Sequence, residues 1–202
     1  MKIVLIGATG TIGKAVTNAL EGHQVIKVGL NNGDYQMNLE SPESIRDLFA
    51  SIGKVDAVVS TSGQIVFGAV NELSDAEYAM TINNKLLGHI SLFKIAAQHL
   101  NTGGSFTLTT GYLAQHPIPG SAAISTVNAA LDAFVKAAAL EMGDTLRVNA
   151  VSPHFVTETM LAMGMPTDGG ISAADTALAY RHLLEGNQNG ISLDVRDFLA
   201  SR

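Results

Sequence analysis

Short apolar runs alternate with amphipathic stretches along the whole chain, and this alternation predicts repeated strand–helix–strand units. Ile3 to Ile6, Val25 to Val28, Val55 to Ser60, Phe106 to Thr109 and Arg147 to Val151 read as strands, with a short last one over Ile191 to Val195. Helices are predicted over Ile12 to Leu20, from Ser41 onward, over Asp75 to Leu100 as one long helix or two abutting ones, over Ser125 to Met142 and over Ala173 to Leu184. Ser41-Pro42-Glu43-Ser44 opens its helix for a physical reason: Ser41 can cap free amides, Pro42 suits the first helical position and Glu43 meets the positive end of the dipole. In the long helical stretch Leu86, Ile90, Phe93 and Ala97 share one face, and Asn101-Thr102-Gly103-Gly104 ends it; Gly143 ends the alanine-rich helix. Met160 to Gly170, with three methionines, Pro166 and paired glycines, has no period and reads as a mobile loop. No repeat, linker or low-complexity tract interrupts the pattern, so residues 1–202 are expected to form one α/β domain, a doubly wound parallel sheet with helices on both faces.

Composition supports that expectation. Hydrophobic residues make up 47% of the 202 and charged residues 15%, a balance suited to strands covered on both faces. A net charge of -6 leaves no footprint for a polyanion, which argues against nucleic-acid and anionic-membrane partners and for small molecules or copies of the same chain. The absence of cysteine rules out disulfides and thiolate metal sites and suits a reducing cytoplasm. Met1 to Ile6 runs at once into glycines and reads as a strand instead of a leader, and no apolar stretch is expected to reach the roughly 18 residues of a membrane span.

Gly7-Ala8-Thr9-Gly10-Thr11-Ile12-Gly13 joins the first strand to the first helix. Glycines in that context permit a tight turn and close backbone approach to a pyrophosphate, while the helix amides and dipole attract its charge, so a Rossmann-type dinucleotide site is predicted. Thr9 and Thr11 add hydroxyl donors. A structural glycine turn in another kind of α/β domain is the competing reading. Cofactor choice should be written where the second strand ends, at Gly29-Leu30-Asn31-Asn32-Gly33-Asp34. Asn31 and Asn32 are neutral donors and Asp34 lies beyond the strand end, which leans weakly to NADP(H) over NAD(H); a plain asparagine-glycine turn is the alternative.

With these motifs the chain resembles the short-chain dehydrogenase/reductase family from Met1 to about Val195. The resemblance rests on Gly7-x-x-Gly10-x-x-Gly13, on Ser60-Thr61-Ser62-Gly63 in place of an Asn-Asn-Ala-Gly-like turn, on Gly104-Ser105, and on Arg147-Val148-Asn149-Ala150-Val151-Ser152-Pro153. It implies that Asn38 and Leu39 sit beside the adenine, that Thr109 and Thr110 line the nicotinamide side, and that Pro153, Phe155 and Val156 also border the cofactor. It implies as well a Ser-Tyr-Lys set with an Asn behind it, in which Tyr exchanges a proton with the substrate oxygen. Those positions fall here on Gly111, Ile124 and Asn128, and the helical Asn position falls near Lys85, just after Asn83 and Asn84. The glycine after Pro153 has become His154.

Isoleucine cannot donate a proton, so the usual acid/base step lacks a carrier at its usual place. Lys85, His154 and Tyr112 are the candidate replacements, since a lysine near a cofactor can have a depressed pKa and histidine titrates near neutrality. Each also has an ordinary reading, as a surface lysine, a loop histidine or a half-buried tyrosine. His23, His89, His99, His116, His154 and His182 show no metal-ligand spacing, and neither a Gly-x-Ser-x-Gly elbow nor a Walker-type lysine is present. Two functions stay open: an NAD(P)(H)-dependent oxidoreductase with an atypical site acting on a small carbonyl or alcohol, and a catalytically silent dinucleotide-binding sensor or structural protein. The apolar faces of Leu86 to Ala97 and Val127 to Met142 predict a homodimer or homotetramer.

Overall fold

The β-branched runs join one parallel sheet in the computed structural model, which describes residues 1–202. Its strands are β1 (Lys2–Ile6), β2 (Gln24–Gly29), β3 (Tyr35–Gln36), β4 (Val55–Ser60), β5 (Leu100–Thr109), β6 (Arg147–Ser152) and β7 (Ser192–Asp194), in the spatial order β3-β2-β1-β4-β5-β6-β7. The order reverses between β1 and β4, and a crevice opens there at the carboxyl ends of the strands.

Side chains alternate across the sheet into two cores. Ile3, Leu5, Ala57 and Val59 point into a core of 15 buried residues under α1 (Thr11–Ala19), α7 (Ala173–Glu185) and α8 (Val195–Ala200). Val4, Ile6, Val58, Phe106, Leu108 and Val148 point into a core of 24 on the other face, under α2 (Pro42–Ile52), α4 (Gly88–Ala96) and α5 (Ala122–Met142). Each such aliphatic residue contributes roughly 1.5–3 kcal/mol on burial. Phe93 fixes α4 by edge-on contacts with Phe106 and Phe134, at centroid distances of 5.2 and 5.5 Å.

Several elements differ from expectation. The stretch from Asp75 to Leu100 is three pieces: α3 (Asp75–Thr81), a π-helical turn over Ile82–Leu87, and α4, which ends at Ala96. Ser74 and Glu77 form a capping box at its start. Asn101 to Gly104 do not stop a helix but bulge within β5, where pairing with β4 jumps from Val55–Leu100 to Ala57–Ser105. Gly103 takes φ +78° there, and Asn101 Nδ2 donates to Asp56 Oδ1 over 2.7 Å. Part of the supposed loop from Met160 to Gly170 is helical, because α6 (Thr157–Ala162) is pinned by a bridge between Val156 and Ile171 and buries Met160.

The last strand is shorter than Ile191 to Val195, because Asp194 caps α8 by accepting from the amides of Arg196 and Asp197. α5 starts at Ala122, before Ser125. With 21 residues it is long and apolar enough to span a membrane, contrary to the sequence expectation, yet half of its apolar window is buried in the fold.

Gly13 packs against the turn it follows. A Cβ there would lie 2.0 Å from the Gly7 carbonyl oxygen. Backbone cannot yield as a side chain does, so Gly13→Ala should lower unfolding free energy by about 2 kcal/mol or more, measured by urea titration. An unchanged midpoint would contradict this packing.

Candidate functional site

The site begins where β1 ends. Gly7 takes φ +78° and donates its N–H to Val28 of β2 over 2.8 Å. The turn then delivers Gly10 to the N-terminus of α1, which lacks a capping side chain. The amides of Thr9, Thr11, Ile12 and Gly13 have no backbone acceptor. Those of α2, α3, α7 and α8 are capped by Ser41, Ser74, Ser172 and Asp194. Free amides at a helix N-terminus with no acidic side chain in the first turn suit a pyrophosphate.

Two clefts meet above this turn and share Ser62 and Gly63. The first, about 290 Å³, is bounded by Gly7, Leu30, Asn38, Leu39 and Glu40. Asn84 closes it by accepting from Gln64 N and donating to Glu40 Oε1, each over 2.7 Å. The second, about 230 Å³, is walled by Phe67, Leu113, Ile124, Phe155 and Val156 and is lined also by Thr109, Thr110 and Lys85. The first cleft offers the polar groups of Asn38, Glu40 and Asn84, and the second an apolar wall beside the Lys85 amine. A larger groove of about 580 Å³ between α7 and α8 is lined by none of the residues of the Gly7–Gly13 turn.

Lys85 is buried within the π-helical turn and donates from Nζ to the Thr110 carbonyl over 3.0 Å. Burial pushes its amine down to about 8, partly offset by the Asp132 carboxylate. Its stem passes under Gly63, where a Cβ would lie 3.1 Å from Lys85 Cγ. Asn128 is buried opposite, with neither amide atom hydrogen-bonded. It presses on Gly111, whose Cβ would meet Asn128 Nδ2 at 2.7 Å, so this asparagine occupies the space of a side chain at position 111. The amine thus enters from the turn before α4 and the neutral amide from α5, the reverse of the arrangement implied by resemblance.

His89 supports the π-helical turn. It is fully buried, its Nδ1 meets the Lys85 carbonyl oxygen, and its Nε2 is 2.9 Å from Ser60 Oγ, which lies 3.1 Å from Ser62 Oγ. Burial, and secondarily the nearby Lys85 charge, push this imidazole down to about 4 against the opposing Lys85 carbonyl.

At the outer end of the second cleft, Tyr112 stacks on His154 with ring centroids 4.3 Å apart, and His154 Nε2 is 3.0 Å from both Asp194 oxygens. All three residues singled out as replacement acids therefore border one cleft.

Of the residues expected around a cofactor, Gly7, Asn38, Leu39, Ser62 and Gly63 line the first cleft, and Ile12, Thr61, Thr109, Thr110, Pro153, Phe155 and Val156 the second. Ser60 lies behind them, bonded to His89, and Asn31 and Asn32 sit outside both. Asp34 is engaged in its own turn, accepting from Lys27 N over 2.8 Å. Sequence reasoning missed His89 and Asp194 as site residues. Nothing in the spacing signals Asp194, which lies 40 positions from His154.

The chain belongs to the short-chain dehydrogenase/reductase family, an oxidoreductase family: a family model described as enoyl-(acyl carrier protein) reductase matches residues 7–187. It is similar to the protein lin1944 from Listeria innocua, with 39% identity and a TM-score of 0.92 over 96% of this chain and 99% of that one. A small-chain dehydrogenase in complex with NADPH is 27% identical, with a TM-score of 0.85 over 95% and 94% of the two chains. A short chain dehydrogenase/reductase of Cryptosporiopsis sp. is 29% identical over 83% of this chain and 67% of its own length. The next two curated relatives are covered over only 61% and 51% of their lengths.

The buried His89 makes stability pH-dependent. In the unfolded chain it takes up a proton near its ordinary value of 6.5, and in the folded protein only near 4, so its contribution is complete above 6.5 and is lost on acidification. Urea titrations should show up to about 3 kcal/mol lost to this group between those limits, and a flatter slope in His89→Gln. Equal slopes would show that His89 is not the buried neutral group described.

Proposed function

We propose that the chain is an NAD(P)(H)-dependent oxidoreductase with a rearranged proton-donating site, acting on a small carbonyl or alcohol. The observation that carries this reading is the pair of clefts meeting at Ser62 and Gly63 beside unbonded amides of α1, with a buried amine in the second cleft. Bound NAD(P)H supplies the hydride. The chain's residues hold the dinucleotide, exclude water with Phe67, Leu113, Ile124 and Phe155, and provide the polar groups that meet the substrate oxygen. Lys85 uses one N–H on Thr110 and has two left to stabilise negative charge on that oxygen. At neutral pH its value of about 8 keeps it mostly cationic.

A preference for NADP(H) is supported by the NADPH-bound relative and by the engagement of Asp34 in its own turn, which keeps that carboxylate from opposing a ribose phosphate. The lack of cysteine suits the cytoplasm. Pairing of two copies through the segments Leu86 to Ala97 and Val127 to Met142 is supported by Leu87 and Leu140, which are 48% and 84% exposed.

Titration by nicotinamide fluorescence should show binding of NADPH and, more weakly, NADH. Gly10→Asp should abolish both by placing a carboxylate against the pyrophosphate. Identical binding by the two proteins would remove the basis for this site, and a large preference for NADH would overturn only the cofactor leaning.

Turnover of aldehydes, ketones and quinones with NADPH should survive Asn128→Ala. It should fall in Lys85→Ala, His154→Ala or Tyr112→Phe, by about 10²–10⁴-fold for the true acid. Wild-type turnover in all three would defeat the replacement-acid reading. A wild type that holds NADPH but turns over nothing would favour the silent binder.

A further inference from the structure

His154 stands just after β6 with its ring fixed on two sides. Tyr112 stacks on one face at an interplanar angle of 13°, and Asp194 holds Nε2 through both carboxylate oxygens at 3.0 Å. A carboxylate only accepts, so the neutral ring carries its proton on Nε2 and leaves Nδ1 as a lone pair. Nδ1 makes no hydrogen bond within the protein. Asp194 is itself held, because Oδ1 accepts from Arg196 N at 2.8 Å and Asp197 N at 3.2 Å as the cap of α8.

The ring also borders two spaces. His154 lines both the Lys85 cleft and an outer cleft of about 250 Å³ that it shares with His116, Asp194, Arg196 and Asp197. Asp194 belongs to the outer side alone. One ring nitrogen therefore faces a carboxylate on the outer side while the other has no protein partner.

We infer that His154 carries the proton exchanged with the substrate and that Asp194 is its positioning residue; this rests on the oxidoreductase reading. As a carbonyl is reduced with hydride from NAD(P)H, its oxygen gains the electron pair of the broken C=O π bond and takes the Nδ1 proton of the His154 imidazolium. The C–H and O–H bonds formed complete the alcohol, and the ring is left neutral with Nε2–H on Asp194. Solvent returns the proton before the next turnover, and alcohol oxidation runs the same steps backward. Lys85 then stabilises charge and need not give up a proton.

The test combines a spectroscopic and a kinetic readout on the full chain. In protein labelled with ¹⁵N-histidine, the neutral His154 ring should show the Nε2–H tautomer, with or without saturating NADPH. Asp194→Asn should convert it to Nδ1–H, because asparagine keeps an oxygen for the α8 cap and turns an N–H toward Nε2. With NADPH and phenanthrenequinone as the probe, kcat should fall about 10²–10⁴-fold in His154→Gln. It should fall at least tenfold in Asp194→Asn, with the KM for NADPH unchanged. Asp194→Ser, which also caps α8, should give the same kinetic loss and serves if the asparagine variant does not fold. An Nδ1–H tautomer in the wild type, or wild-type kcat in His154→Gln and the Asp194 variants, would overturn the inference. A wild type that binds NADPH but fails to reduce the quinone and the wider carbonyl panel would overturn the oxidoreductase reading, and this assignment with it.

Discussion

The peptide of Gly7 is the point on which the architecture closes. Its N–H bonds to Val28 of β2 over 2.8 Å, and Thr61 after β4 donates to Ile6 O and Gly7 O at 3.1 and 3.2 Å. A side chain at position 7 would meet Ser62 N at 2.9 Å, and one at position 13 would meet Gly7 O at 2.0 Å. Three strand ends and the start of α1 are thus drawn onto one peptide, at a distance only glycine permits. The crevice where the sheet order reverses, the free amides of α1 and the meeting of the two clefts all follow from that convergence.

Inside the site desolvation governs the titratable groups. Burying the Lys85 amine and the His89 imidazole disfavours their charged forms, so the two respond by shifting pKa and by taking backbone or hydroxyl partners. Consecutive residues of the π-helical turn, Asn84 and Lys85, line the two different clefts. Asn128, by contrast, fills space against Gly111 and leaves its amide unpaired among protein groups. The cation of the cleft comes from the turn before α4, and α5 supplies a neutral amide.

Much of this was legible in sequence. Strand positions followed from runs such as Val55 to Ser60, and the glycine turn from its place between strand and helix, because local sterics and burial decide both. Lys85, Tyr112 and His154 could be singled out because the family pattern left Gly111, Ile124 and Asn128 without chemistry. The π-helical turn was hidden, since an extra residue in a helix leaves the apolar spacing of Leu86, Ile90 and Phe93 looking regular. The β5 bulge used the same polar and glycine residues, Asn101 to Gly104, that often stop helices. Asp194 carried no local signal because its pairing with His154 depends on how β6 and β7 align, with Ser152 opposite Asp194.

On the proposed reading, a dinucleotide lies across Ser62 and Gly63 with its nicotinamide beside Lys85 and its pyrophosphate on the amides of α1. A crystal soaked with NADPH tests it most directly. Density is expected for adenosine against Asn38 and Leu39, phosphates at Thr9 to Ile12, and the nicotinamide between Thr110 and Pro153. A soaked crystal in which the dinucleotide is absent from this crevice, or lies with its nicotinamide away from Lys85, would contradict it.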